Sequence, residues 1–441
     1  MFDIKLIRED PEMVRKNLER RQNPEVMKLL DKIIEDDKKY REMLKEVEDL
    51  KHKINVGSKE VAVITMEVKN IDPKDEEDHI RRKEKKLEEL KELKERKNSK
   101  EDKMNEKKEE LDISLMSLPN LLHETVPFGK DDTENVETKR YGKEPKFDFE
   151  GKSHAEILTD MGLLDEERAA KVAGGGFYYL KGSLALLENA IIKYSVDYLV
   201  KKGYIFILPP HALRRDAYQG VVDLSDFESV MYKLEGEDLY LIATAEHPIG
   251  AMYWNETLSK KDLPLKFVGL STNFRKEIGA HGKYTRGTFR VHQFNKVEQF
   301  IFCSPEQSWD LHEELQRNSE ELYEGLGLHY RVVNVCTGDI GTIAAKKYDT
   351  EVWMADGEFR EVGSNSNCTD YQARRLNVKY REREGQAPVG FVHTLNNTAL
   401  ATSRTLIGIV EQYQQKDGSV LIPKALQKYM GGMKKLEPLN F

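Results

Sequence analysis

Cysteine is scarce in this 441-residue chain, and the three present, Cys303, Cys336 and Cys368, form no CxxC or Cys/His ligand pattern. That spacing excludes a disulfide framework and a sequence-local zinc site, and it points to a reducing compartment. Long apolar runs are missing too. No segment approaches the roughly 20 apolar residues that a membrane span needs, and the N-terminus, MFDIKLIRED, lacks a basic region followed by an apolar stretch. A soluble, cytoplasmic protein is therefore expected. There is no excess of positive charge: the net charge is -8, so any contact with nucleic acid has to come from a local basic surface. A GxxxxGK[ST] phosphate loop is absent as well, and the triple glycine Gly174–Gly176 does not fit GxGxxG and reads as a flexible turn.

What is present divides the chain. From Pro24 to Ile113 the sequence is dense in Lys, Glu, Asp and Leu and nearly free of glycine and proline. Ile33, Tyr40, Met43, Val47, Leu50 and Ile54 fall at heptad intervals, which predicts a coiled-coil helix. The acidic run NIDPKDEED, with Asp72 and Pro73, breaks the pattern, and a second seam is expected from Ile80, Leu87 and Leu90. The two helices would be antiparallel. Where Lys94, Lys97 and Glu101 fall, the second seam loses its apolar character and its outer half is weakly specified. The lysine-rich stretches RRKEKK and KELKERKNSK offer phosphate contacts. By composition alone this arm could equally be a spacer or a dimerisation element.

After about Asp148 the composition turns globular, and here the charged residues sit among apolar runs. The stretch Phe274–Glu298 carries Arg275, Glu277, Arg290, Phe294 and Glu298 between two strand-like segments, KFVGLSTNFR and VEQFIFCS, with Gly279, Gly282 and Gly287 marking a hairpin tip. Arg275 and Glu277, two apart, would share one strand face. Such a face cannot pack as a hydrophobic core unless an anion and a cation fill it. Upstream lies LYLIATAEHPIGAMYWNE; downstream lie YDTEVWMADGEFREVGSNSNCTDYQARR and HTLNNTALATSRTLIGIVEQYQ. In the last, Arg404 sits among Leu400, Ala401, Leu406 and Ile407 with no carboxylate nearby in sequence, and a phosphate would satisfy it.

Taken together, these segments resemble the motifs of class II aminoacyl-tRNA synthetases, and their order resembles the seryl-tRNA synthetase family over nearly the whole chain. The helix SLALLENAIIKYSVDYLVKKG and strand YIFILPP, ending in Pro209, are similar to the first motif, which implies a homodimer. FRKE is similar to the second motif and the Arg404 helix to the third. The resemblance implies an α+β fold, an antiparallel catalytic sheet flanked by helices. It divides the chain into a tRNA-binding N-terminal domain (1–115, coiled-coil arm about 26–113), a linker (116–150, with SLPN and PFGKDDTENVE) and a catalytic domain (151–441).

The function implied is ATP-dependent activation of L-serine to seryl-adenylate, followed by transfer to the 3′ end of tRNA(Ser), with tRNA(Sec) left open as a second acceptor. By the same resemblance Arg275 and Arg404 are catalytic, and serine is held by Thr244, Ala245, Glu246, Arg275, Glu298, Asn396 and Thr398. ATP is held by Arg275, Lys276, Glu277, Arg290, Val291, Phe294, Glu361, Val362, Gly363, Ser364 and Arg404, and Mg²⁺ by Glu361 and Ser364, with no zinc expected. Hard oxygen ligands suit Mg²⁺, and a carboxylate is the natural partner of an ammonium. Two departures are visible: LKHKIN, with Lys51 and Lys53, stands where relatives have an arginine-rich stretch, and NNT places Asn397 beside the expected hydroxyl of Thr398. An inactive synthetase-like scaffold and an amino acid:carrier protein ligase are the competing readings. The full set of charged residues speaks against the first and the long arm against the second.

Overall fold

The computed structural model describes residues 1–68, 76–223, 227–277 and 287–439. Asp72 and Pro73 of the expected helix break, and Gly279 and Gly282 of the expected hairpin tip, lie outside those residues. The chain forms two compact units: Asp3–Lys16 with Asn23–Leu118, and Met1–Phe2 with Asn17–Gln22 and Pro119–Phe441.

The first unit is dominated by two helices, α1 (Pro24–Val68) and α2 (Glu76–Ser117), of 45 and 42 residues, each roughly 65 Å long. Asn23 begins α1 by accepting the Glu25 N–H at 3.0 Å, with Pro24 at the first helical position, where its missing N–H costs nothing. Ion pairs between the helices fix their direction: Lys86 meets Glu60 at 3.1 Å and Lys107 meets Asp36 at 3.2 Å, so numbers rise on one helix as they fall on the other. On α1 the expected seam holds, with Ile33, Val47 and Leu50 buried and Tyr40, Met43 and Ile54 partly so.

On α2 the expectation needs correcting. Leu90 is buried, but Ile80 and Leu87 are exposed. The inward positions run Lys86, Leu90, Leu93, Lys97, Lys100, Met104, Lys107 and Leu111, a heptad register in which lysine stems take half the seam. Their ammonium groups reach acidic residues of α1 (Lys86 to Glu60, Lys100 to Glu46, Lys107 to Asp36) or, for Lys97, Glu101 on α2 itself.

The second unit is built on an eight-stranded sheet. Its strands are β1 (Val136–Tyr141), β2 (Ile205–Ile207), β3 (Leu265–Phe274), β4 (Gln293–Cys303), β5 (Tyr330–Asn334), β6 (Lys346–Trp353), β7 (Phe359–Asn367) and β8 (His393–Ala401). They pair in the order β1-β5-β6-β7-β8-β4-β3-β2, antiparallel except for β2 beside β3. Part of the segment read as a linker, 116–150, thus supplies the edge strand β1.

Alternation along β3 and β4 sorts side chains onto two faces. Val268, Val297, Ile301 and Cys303 join the core under the helices α3 (Gly182–Lys201), α4 (Ser308–Leu326) and α5 (Thr402–Gln412). Phe267, Phe300 and Phe302 face the other way, onto a second apolar cluster that includes Ala245, Ile249, Ala373 and Leu376. Gly269 on this face allows the segment Thr244–Ile249 to lie against the sheet. A Cβ there would stand 2.6 Å from the Ile249 side chain and 2.9 Å from that of Ala245. Among the described residues, no helix is long and apolar enough to cross a membrane.

Candidate active site

Two clefts open on the second face of the sheet, and Arg275 borders both. The first spans about 450 Å³, counting space open to solvent, and is walled by Arg275, Glu277, Phe289, Val291, Phe294, Lys296, Glu361, Val362, Gly363, Thr398 and Arg404, with Ala401 and Ser403. The second spans about 1030 Å³ on the same measure, with Thr244, Glu246, His247, Arg275, Ser366, Cys368 and Asn396 on its polar side. Nine of the predicted residues wall the first cleft and four the second.

Arg275 and Glu277 do not lie on a strand, contrary to the expectation from their spacing. β3 ends at Phe274, because the Arg275 N–H turns to donate to the carbonyl of His292 at 3.1 Å and the Lys276 N–H to that of Val230 at 2.9 Å. The Arg275 guanidinium is fixed by its Nε, which donates to the Ala243 carbonyl at 3.3 Å, and by the Phe294 ring 5.3 Å beneath it. Both arginines of the first cleft are thus seated on aromatic rings, since Arg404 lies 4.8 Å from the centroid of Phe289. Arg404 also donates to the Glu361 carbonyl at 2.6 Å and stands 3.7 Å from its carboxylate. Partial desolvation works against charge on Glu361, yet Arg404, Lys347 and Arg275 outweigh it and hold the carboxyl below the usual range. The result is a cationic cleft in which Arg275, Lys296 and Arg404 outnumber the carboxylates Glu277 and Glu361.

Three of the residues expected to hold ATP stand outside the first cleft's wall. Arg290 is half-exposed, 3.8 Å from Glu277. The Lys276 ammonium lies over the Tyr232 ring at 5.7 Å. The Ser364 hydroxyl donates to Asp349 at 2.5 Å. Asp349, which sequence reasoning missed, is pushed up from the ordinary carboxylate range by burial, against the pull of Lys347.

In the second cleft Glu246 is the acceptor. Its Oε1 takes hydrogen bonds from Gln372 at 2.9 Å and Asn396 at 3.1 Å, which orient the carboxyl without neutralising it. Desolvation, reinforced by Glu298, pushes its pKa up to about 7. A group this reluctant to ionise by itself gains most from an ammonium. Ala245 lies buried behind it. Burial, with Lys296 and Arg275 adding to it, lowers the pKa of His247 well below the ordinary imidazole range, and its Nδ1 shares a 2.8 Å hydrogen bond with Tyr218. Glu298 borders neither cleft; it is buried between Lys296, whose Nζ is 2.6 Å away, and the Thr398 hydroxyl at 3.2 Å.

Sequence reasoning also missed the supports that join these parts. The buried carboxylate of Glu411, on α5, accepts from the backbone and ring of His154 at 3.0 and 2.7 Å and from the Ala355 N–H at 2.8 Å. The other ring nitrogen of His154 accepts the Thr288 N–H at 3.3 Å. One His–Glu pair therefore links the helix bearing Arg404, the β6–β7 turn next to Glu361, and the chain entering Phe289. The triple glycine is more than a flexible turn: the Gly176 carbonyl accepts the His292 N–H at 2.8 Å, and a Cβ on Gly176 would stand 2.1 Å from the His292 ring.

This geometry has counterparts. Residues 230–413 match the family described as "tRNA synthetase class II core domain (G, H, P, S and T)", which assigns the clefts to a class II aminoacyl-tRNA synthetase core. Residues 1–122 match the seryl-tRNA synthetase N-terminal domain. The chain is 49% identical to the serine–tRNA ligase of Methanocella arvoryzae, covering 99% of this chain and 100% of that protein. It superposes on the seryl-tRNA synthetase of Pyrococcus horikoshii complexed with ATP with a TM-score of 0.91 at 44% identity, 100% of both chains being covered. For the cytoplasmic serine–tRNA ligase of Naegleria fowleri in complex with AMP the TM-score is 0.86 at 38% identity, over 100% and 99%. The chain belongs to the seryl-tRNA synthetase family.

Proposed function

We propose that the protein is a cytoplasmic serine–tRNA ligase that activates L-serine with ATP and transfers the seryl group from seryl-adenylate to the 3′ end of tRNA(Ser). The observation that carries this reading is the position of Arg275. One guanidinium borders a cationic cleft suited to a triphosphate and a second cleft whose acceptor, Glu246, suits an ammonium. It can therefore grip the α-phosphate and the serine carboxylate together, which is most of what in-line attack at phosphorus requires.

Arg404 takes the distal phosphates, while Phe294 and the backbone around Val291 receive the adenine, with Glu277 and Arg290 at its edge. Thr244, Glu246 and Asn396 receive the serine amino group. Thr398, whose hydroxyl already donates to Glu298, receives its hydroxyl, with Glu298 behind it paired to Lys296. Mg²⁺ fits the ionised Glu361 with the Ser364 hydroxyl, an all-oxygen pair beside Asp349. Bound there, it would neutralise phosphate charge. The homodimer is supported by the edge strand β2, where Ile205 and Phe206, with Leu208 just beyond, are exposed.

The test is charging of unfractionated tRNA with each of the twenty amino acids, wild type beside a variant lacking 24–117. Serine charged onto tRNA(Ser) by the wild type alone is the expected result, and the same assay reads tRNA(Sec). Charging with another amino acid, or none, overturns the reading.

A further inference from the structure

Lys296 lies on β4 between Phe294 and Glu298, on the strand face that carries the site. It is buried, and its Nζ is 2.6 Å from Glu298 Oε2 and 3.5 Å from Thr398 Oγ1. A lysine this buried requires a carboxylate, and Glu298 supplies one. Pairing does not explain why the cation borders the first cleft with Arg275, Glu361 and Arg404, when Glu298 itself does not. An ammonium carries three N–H donors, and among the described residues it meets the Glu298 carboxylate as an ion pair and the Thr398 hydroxyl as a hydrogen-bond acceptor. One donor remains for a group entering the cleft. Its charge is felt on both sides: like Arg275, it favours the ionised form of Glu246 in the second cleft and of Glu361 in the first. Lys296 therefore walls the first cleft beside Arg275, the residue common to both.

We propose that Lys296 is a catalytic residue of the activation step, its ammonium donating to a non-bridging oxygen of the ATP α-phosphate as serine attacks. The inference rests on the serine–tRNA ligase reading above. In that step a serine carboxylate oxygen forms the new O–P bond. The bridging oxygen between the α- and β-phosphorus atoms leaves with the electron pair as pyrophosphate, and no proton changes hands. Negative charge crowds the oxygens around phosphorus on the way, and a cation already held in place meets it without reorganising. Glu298 and Thr398 are what hold it.

The test is a double-mutant cycle in serine-dependent ATP–pyrophosphate exchange: wild type, Lys296→Met, Glu298→Gln, and both. Lys296→Met is expected to lower kcat about a hundredfold, with the KM for ATP changed by only a few fold, and still to lower it at least about tenfold in the Glu298→Gln background, where the amide oxygen keeps an acceptor for the ammonium. If removing Lys296 costs nothing once Glu298 is Gln, the lysine is only a counter-ion and the proposal falls. An effect confined to KM overturns it too. The doubly substituted protein loses both charges together, so the comparison with Glu298→Gln stands even if Lys296→Met alone fails to fold. Absence of serine-dependent exchange in the wild type would instead overturn the reading beneath it.

Discussion

The arm and the catalytic unit are both rich in lysine–glutamate pairs, yet water reaches them differently. In the arm, Lys86–Glu60 and Lys51–Glu101 join side chains between a quarter and a half exposed. In the catalytic unit, Lys296 and Glu298 are 8% and 1% exposed, and His154 and Glu411 are 1% and 0%. Screened pairs contribute little energy but can fix helix register, whereas a buried pair is costly to break because the remaining partner is left without water. The same residue types thus set an alignment in one unit and a reaction geometry in the other.

The largest effect expected from breaking this contrast is at Arg275, the group common to both clefts. Arg275→Ala should lower the rate of serine-dependent pyrophosphate exchange by about a thousandfold or more, measured at saturating ATP and serine. Next is His154→Phe, which takes the ring donor from the buried Glu411 carboxylate and leaves the Thr288 N–H without its acceptor. It should destabilise the catalytic unit by about 3 kcal/mol in urea unfolding and raise the KM for ATP, because Phe289 and Arg404 lose a common support.

A smaller, graded effect is expected from pH. Glu246 holds a proton up to about pH 7 in the empty site, and an ammonium needs the ionised form. Below pH 7 serine binding must expel that proton, so the KM for serine should rise about tenfold per unit of falling pH and level off above 7. Glu246→Gln should weaken serine binding and abolish this slope. The smallest effect belongs to the arm: Glu46→Gln, which removes the exposed pair with Lys100 but leaves the lysine stem in the seam, should leave the denaturant midpoint unchanged within error. A large shift there would mean that the arm's pairs carry energy as well as register.

Much of the site was legible because charge in an apolar context is conspicuous. Arg404 among aliphatic residues and Arg275 at the end of a strand-like run both signal a ligand, and both border the first cleft. What escaped is what depends on adjacency between distant segments. Lys296 reads as an ordinary strand lysine until β8 brings Thr398 opposite Glu298. His154 and Glu411 stand 257 residues apart, and no local pattern joins them. Gln372 looks like part of a helix until it meets Glu246. In the arm, the search for apolar heptads selected Ile80 and Leu87, and the register held by lysine stems went unread because hydropathy counts a lysine by its charge and not by its four methylenes.

Whether these two clefts activate serine is read by ATP–pyrophosphate exchange across the twenty amino acids with purified wild-type protein. Exchange is expected with serine, and none comparable with alanine or threonine. Exchange with a different amino acid, or with none, would contradict serine activation.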